Sequence, residues 1–232
     1  MSRPSRPLPV PALVADIAGD RPVTAVWVNE LGGVTYAVGA PAPVEYVKIY
    51  PDPAAPLLDD EVIRLRWAGA HVTVPQVLDH GVGWMRTAAL PGRSAVDPRW
   101  TDQPAIAAAA IGAGLRMLHD ALPVGDCPFG PPSWVAGAPA PPPDRLVVCH
   151  GDACAPNTLM ADDGTCSGHV DLGTLGVADR WADLAIATMS LDWNFPGARG
   201  EAVLLAAYGV APDAERIAFY RRRWNDDDSA SR

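Results

Sequence analysis

Three oxygen-bearing side chains stand at telling spacings in VVCHGDACAPNTLMADDGTCSGHVDLG, residues 147–173: Asp152, Asn157 five positions on, and Asp171 nineteen after Asp152. Apolar residues 146–149 and 168–170 feed the segments that carry Asp152 and Asp171. Short strands ending in acidic loops fix the backbone and let the loops deliver side chains. The chemistry such a set could perform is phosphoryl transfer, which needs a group to orient the attacking hydroxyl and metal ions to neutralise the polyphosphate. Asp152 suits the hydroxyl. Asn157 and Asp171 offer the oxygen ligands that Mg²⁺ prefers. An Asp, an Asn five residues on, and a later Asp after a β-run is the kinase pattern. The competing interpretation is local. Gly-Asp pairs form turns readily, and ADDG at residues 161–164 fits a solvated hairpin tip.

The elements that must position these residues follow from patterning. TAVWVNELGGVTYAVG reads as two β-runs joined near Gly32 and Gly33, and EYVKIY as a third, which predicts an antiparallel N-terminal sheet. The glycine pair could bring backbone amides to phosphate oxygens, or could simply turn a hairpin. No GxxxxGK motif is present. Lys48 lies inside an apolar strand pattern, where a charge wants a partner. Glu61, on a helix expected over residues 58–67, is the candidate. Lys48 snorkelling from an edge strand is the alternative. Strand-like runs follow at residues 72–79 and 83–89.

A helix starts near Pro104, with Ile111, Leu115 and Leu118 on its buried stripe, and ends before Pro123. Asp120 and Asp126 are expected in the loop after it, facing a cationic substrate or solvent. The prolines of residues 128–144 exclude regular structure, with Trp134 the one large anchor there. Helices are expected over residues 181–189, 198–208 and 213–224. Residues 1–11 are expected to form a loose tail.

The 232 residues suit one large domain or two small lobes, and 49% hydrophobic against 19% charged residues is a globular composition. A net charge of −9 argues against nucleic acid and is compatible with a small polycationic substrate. Four cysteines lack a CxxC pairing, so zinc is poorly supported despite His150 and His169 nearby. No secretory leader opens the chain and no apolar run reaches membrane-spanning length, which makes the cytoplasm the expected location and excludes a membrane partner. A monomer or weak dimer is expected.

The motif HGDACAPNTLM, the run SGHVDLGTLGVADRWADLAIAT and the segment YGVAPDAERIAFYR resemble the aminoglycoside 3'-phosphotransferases, within the protein-kinase-like group. With N-terminal features the resemblance spans roughly residues 20–224. It implies an α+β, two-lobed protein-kinase-like fold: a small antiparallel β lobe over residues 1–88, a mainly helical lobe over residues 89–232, and ATP between them. It implies transfer of the ATP γ-phosphoryl group to an aminoglycoside 3'-hydroxyl, with Mg²⁺. Other hydroxylated substrates, or a non-catalytic relative, are the alternatives. Asp152 then orients or deprotonates the hydroxyl, Asn157 and Asp171 hold Mg²⁺, and Lys48 with Glu61 binds phosphates beside Gly32 and Gly33. The backbone near Arg86 and Ala88 holds adenine. His150 supports its loop, and Asp183 buttresses the catalytic loop. Many members carry further helical sequence where this chain has its Pro-rich connector. Asp226, in the ending WNDDDSASR, is the nearest analogue of the acidic groups that grip ammonium groups, with a plain solvated tail as the alternative.

Overall fold

In the computed structural model the described residues are 4, 6–137 and 140–230. The chain divides into two compact units, Met1–Ala70 with Pro75–Leu90, and His71–Val74 with Pro91–Arg232.

The first unit opens with α1 (Ala12–Ala18). It continues through β1 (Val23–Val28), β2 (Val34–Val38), β3 (Glu45–Ile49), α2 (Pro56–Ala68), β4 (Val77–Gly81) and β5 (Trp84–Ala88). The strands form one antiparallel sheet in the order β1-β2-β3-β5-β4. Val14 and Ala18, one helical turn apart on α1, pack with Tyr36, Val38 and Val47 on one face. Successive residues of a strand alternate faces, so Lys48 projects from the opposite face to Val47. Within the tail, Pro9 is docked: its carbonyl accepts from the Tyr36 hydroxyl at 3.0 Å; the expectation of a loose tail falls partly on residues 1–3 and 5, outside the described residues. β4 starts five residues later than its expected run, because Pro75 brings no N–H to a ladder.

The second unit contains β6 (Arg93–Ser94), α3 (Pro98–Thr101), α4 (Pro104–Ala121), β7 (Leu146–Cys149), β8 (Thr158–Met160), β9 (Cys166–His169) and β10 (Gly176–Asp179). Three helices complete it: α5 (Trp181–Asn194), α6 (Glu201–Tyr208) and α7 (Ala214–Ala230). β7 pairs with β10, and β8 with β6 and β9, all antiparallel. α4 and α6 approach closely because position 112 is glycine: a Cβ there would lie 2.2 Å from the Leu204 carbonyl oxygen. α5 is buried from Trp181 to Leu191. A small antiparallel β unit and a mostly helical one are the two-lobed α+β architecture expected.

Expected boundaries move in the second unit too. Asp120 belongs to the last turn of α4, not to a loop; its carboxylate accepts from Arg116 one turn back, an i,i+4 pair that favours continued helix. The three aspartates 226–228 continue α7 rather than form a loose end, as no glycine or proline interrupts the helix before Ala230. Among the described residues no helix is long and apolar enough to cross a membrane.

Candidate active site

The segment that carries Asp152 is built outward from β7. Buried Val147, Val148 and Cys149 pair with β10, so the chain leaves the sheet at His150 in a fixed direction. Gly151 then turns in the left-handed region at φ 84°. A Cβ there would stand 2.2 Å from the Thr174 carbonyl oxygen, so only glycine fits. Residues 155–157 form a 3₁₀ turn whose Ala155 N–H donates to Ser190 Oγ of α5 at 2.9 Å.

Asn157 ties the set together. Its Nδ2 donates to the Asp152 carbonyl at 3.0 Å, and its own carbonyl accepts from Val170 N–H at 3.0 Å. The first bond draws the amide to the Asp152 loop and presents Oδ1 as the remaining oxygen. The second places Asp171, the next residue after Val170, beside the same loop. Asp171 has φ 66°, a conformation that aspartate tolerates better than most L residues. Asp152 is half-buried, and its Oδ1 is buried without a hydrogen-bond partner. Burial, and then the charge of Asp171, push the Asp152 carboxyl above its ordinary value. A buried, partnerless carboxylate oxygen with a second carboxylate and an amide side chain at the same loop is an oxygen donor set that suits a divalent cation.

Asp183 holds the loop from beneath. It is fully buried on α5 and accepts from His150 N–H at 2.6 Å, Gly151 N–H at 2.9 Å and His119 Nε2 at 2.9 Å. Burial alone would raise its carboxyl; the hydrogen bond from His119 and the loop donors outweigh it and hold the group below its ordinary value. His119 Nδ1 accepts in turn from the Tyr208 hydroxyl at 2.9 Å. His119, Cys149 and Asp183 form a buried cluster of potential ligands. Its atoms are spent on hydrogen bonds, Cys149 Sγ donating to the Asp179 carbonyl at 3.4 Å, and burial keeps that thiol well above its ordinary value. The cluster is a loop support. His150 supports the loop too: Nε2 donates to the Val170 carbonyl at 3.0 Å while Nδ1 accepts from Asp152 N–H at 3.3 Å. Both ring nitrogens are engaged, which leaves neither to act as a base.

In the first unit, Lys48 Nζ lies 2.8 and 2.9 Å from the two Glu61 oxygens. Arg86 faces the other way. Cross-strand from Val47, it pairs with buried Glu45 at 2.6 Å, on the face that carries α1. The Ala88 N–H donates to the Gln76 carbonyl at 2.9 Å, so it is committed within the unit. The glycine pair turns the β1–β2 hairpin: Gly33 N–H donates to Asn29 Oδ1 at 2.7 Å and Gly32 N–H to the Asn29 carbonyl at 3.3 Å. Those two amides are satisfied inside the turn. A Cβ on Gly33 would meet the Tyr50 ring at 2.5 Å.

The two acidic candidates for substrate contact lie in the second unit. Asp120 is gripped by Arg116 and by Arg145, the latter at 2.9 Å, so its charge is already met by two guanidiniums. Asp226 is exposed on α7. Sequence reasoning passed over His119 and Ser190 as site supports; a histidine on a buried helical stripe gives no sign of which partner it will find.

Comparison with known proteins adds to this geometry. A model described as the phosphotransferase enzyme family matches residues 133–220. The chain is 34% identical over 230 residues to an aminoglycoside 3'-phosphotransferase of Streptomyces fradiae, covering 78% of this chain and 85% of that one. The chain belongs to the aminoglycoside phosphotransferase family. With membership comes the general reaction, ATP-dependent phosphorylation of an aminoglycoside. A streptomycin 3''-kinase of Streptomyces griseus is also 34% identical, over 75% of this chain and 82% of its own. Among solved structures, an aminoglycoside 3'-phosphotransferase of type VIII superposes with a TM-score of 0.74 at 27% identity, over 90% of this chain and 94% of that one. An aminoglycoside phosphotransferase of Streptomyces rimosus shares the fold at a TM-score of 0.70 and 24% identity, over 90% and 93%.

Proposed function

We propose that this member of the aminoglycoside phosphotransferase family moves the γ-phosphoryl group of ATP to the 3'-hydroxyl of an aminoglycoside antibiotic, conferring resistance. The observation that carries the chemistry is the buried, partnerless Oδ1 of Asp152, held beside Asn157 and Asp171. That oxygen accepts the hydrogen bond of the incoming hydroxyl, aims the hydroxyl's lone pair at the γ-phosphorus, and receives its proton as the new P–O bond forms and the bond to the β,γ-bridging oxygen breaks, releasing ADP. Asn157 Oδ1 and the Asp171 carboxylate hold Mg²⁺, which when bound neutralises the phosphate oxygens. Lys48 binds the α- and β-phosphates, and Glu61 fixes its reach. Asp226 is better disposed than Asp120 to meet a substrate ammonium group, since two arginines already engage Asp120.

The similarity to 3'-phosphotransferases supports the 3' position. The equal identity to a streptomycin 3''-kinase supports a second reading, phosphorylation at 3''. A panel separates them: ADP release measured with kanamycin A, its 3'-deoxy counterpart and streptomycin. Turnover with kanamycin A that is lost with the 3'-deoxy compound is the expected result. Equal turnover of both would overturn the 3' assignment, and turnover of streptomycin alone would favour 3''. Asp171→Ala is expected to abolish the dependence of turnover on Mg²⁺ concentration together with most of the turnover, by about 10³-fold. A Mg²⁺ titration matching that of the parent enzyme would remove Asp171 from the metal site.

A further inference from the structure

The connector between α4 and β7 carries a buried indole, Trp134. Its indole Nε1–H donates to the carbonyl of Gly151 at 2.7 Å. Gly151 immediately precedes Asp152, and its own N–H is held by Asp183 at 2.9 Å. The loop is thus gripped on both sides of one glycine, below by α5 and at the carbonyl by the connector. That second grip matters because the peptide joining Gly151 to Asp152 is planar, so the direction of its carbonyl fixes the backbone at Asp152. A glycine at positive φ has little steric preference of its own, so this peptide is held by its polar partners: the indole at the carbonyl at 2.7 Å and His150 Nδ1 at the longer 3.3 Å from Asp152 N–H.

Trp134 is itself anchored on α7. Its ring meets Trp224 and Tyr220 edge-on, with centroids 5.1 and 6.4 Å apart. Arg223 Nη2 donates to the carbonyls of Trp134 and Ala136 at 3.0 and 3.1 Å. A continuous chain of packing and hydrogen bonds therefore runs from α7 through a proline-rich segment to the residue before Asp152. The prolines reduce the freedom of the connector in the unfolded chain, so little further entropy is lost in holding the indole in place.

We propose that Trp134 is a positioning residue for phosphoryl transfer: it holds the Gly151 carbonyl, and thereby the Asp152 carboxylate, with α7 as its anchor. This rests on Asp152 orienting the acceptor hydroxyl. Trp134→Phe keeps an aromatic ring against Tyr220 and Trp224 and removes the donor. With the panel aminoglycoside of highest turnover, kcat should fall about 10- to 100-fold, the scale of a small misplacement of a reacting group. KM for ATP should stay within about twofold, as nucleotide binding is not touched. In an Asp152→Asn background the same change should have no further effect, because both act through one carboxylate. Arg223→Met spares the ring and its donor while releasing the connector, and should lower kcat in the same direction by a smaller factor. It serves if Trp134→Phe does not fold, as judged by near-ultraviolet circular dichroism. An unchanged kcat in both variants, or a full multiplicative loss on top of Asp152→Asn, would overturn the inference. Failure of the Asp152 assignment would show separately, as near-parental turnover of Asp152→Asn alone.

Discussion

Asp152→Asn is expected to lower kcat by about 10³- to 10⁴-fold, the upper range for loss of a positioned acid–base group, while the thermal midpoint stays level or rises. The two halves of that expectation have different origins. The amide keeps the shape of the carboxylate but lacks the charge that draws a proton from the hydroxyl. Stability should not suffer, because burial and the Asp171 charge already disfavour the ionised Asp152 in the folded protein. Removing a strained charge from a site that needs it for chemistry trades activity for stability. Parallel measurements of turnover and thermal unfolding check both halves. A variant that lost stability and kept its rate would contradict the role given to Asp152.

Asp183→Ala should produce the largest loss of stability of any single change in the second unit. It strips the acceptor from the N–H groups of His150 and Gly151 and from His119, all buried. Each stranded donor costs about 1–3 kcal/mol, so a total on the order of 3–5 kcal/mol is expected, as for a broken buried pair. The thermal midpoint should fall by about 10 °C at this chain length. The pH dependence has a definite sign. The folded Asp183 carboxyl is held below its unfolded value, so the unfolded chain binds its proton first as pH drops. The stabilisation from this group is present in full at neutral pH and is lost as pH falls below about 4. Unfolding curves from pH 7 down to 3 should therefore steepen in the parent relative to Asp183→Asn. Parallel curves would show that Asp183 does not titrate as its surroundings require.

Much of this site could be read from residues alone, for reasons that differ by residue. Asp152, Asn157 and Asp171 lie on one continuous stretch, and the local hairpin of β8 and β9 brings the last of them back to the first two. Lys48 announced its partner because a lone charge in an apolar strand needs one, and a helix followed close behind. The glycine pair was ambiguous in sequence, since the same two residues suit a tight turn or a phosphate contact; the turn itself is made by Asn29, four positions before Gly33, whose Oδ1 accepts from the Gly33 N–H. Trp134 was visible as an anchor, yet its target was not, because the bond to Gly151 spans 17 positions, from the proline-rich connector to the far side of β7. His119 bridges α4, α5 and α6, a meeting that periodicity within one helix cannot reveal.

The closing helix has a practical bearing on how the enzyme should be handled. Arg223 and Trp224 lie in α7, close to its end at Ala230. A carboxypeptidase that trimmed the protein back past Arg223 would remove two of the three α7 residues that fasten the connector and leave Tyr220 alone. Turnover is then expected to fall while the buried stretch of α5, Trp181–Leu191, stays packed.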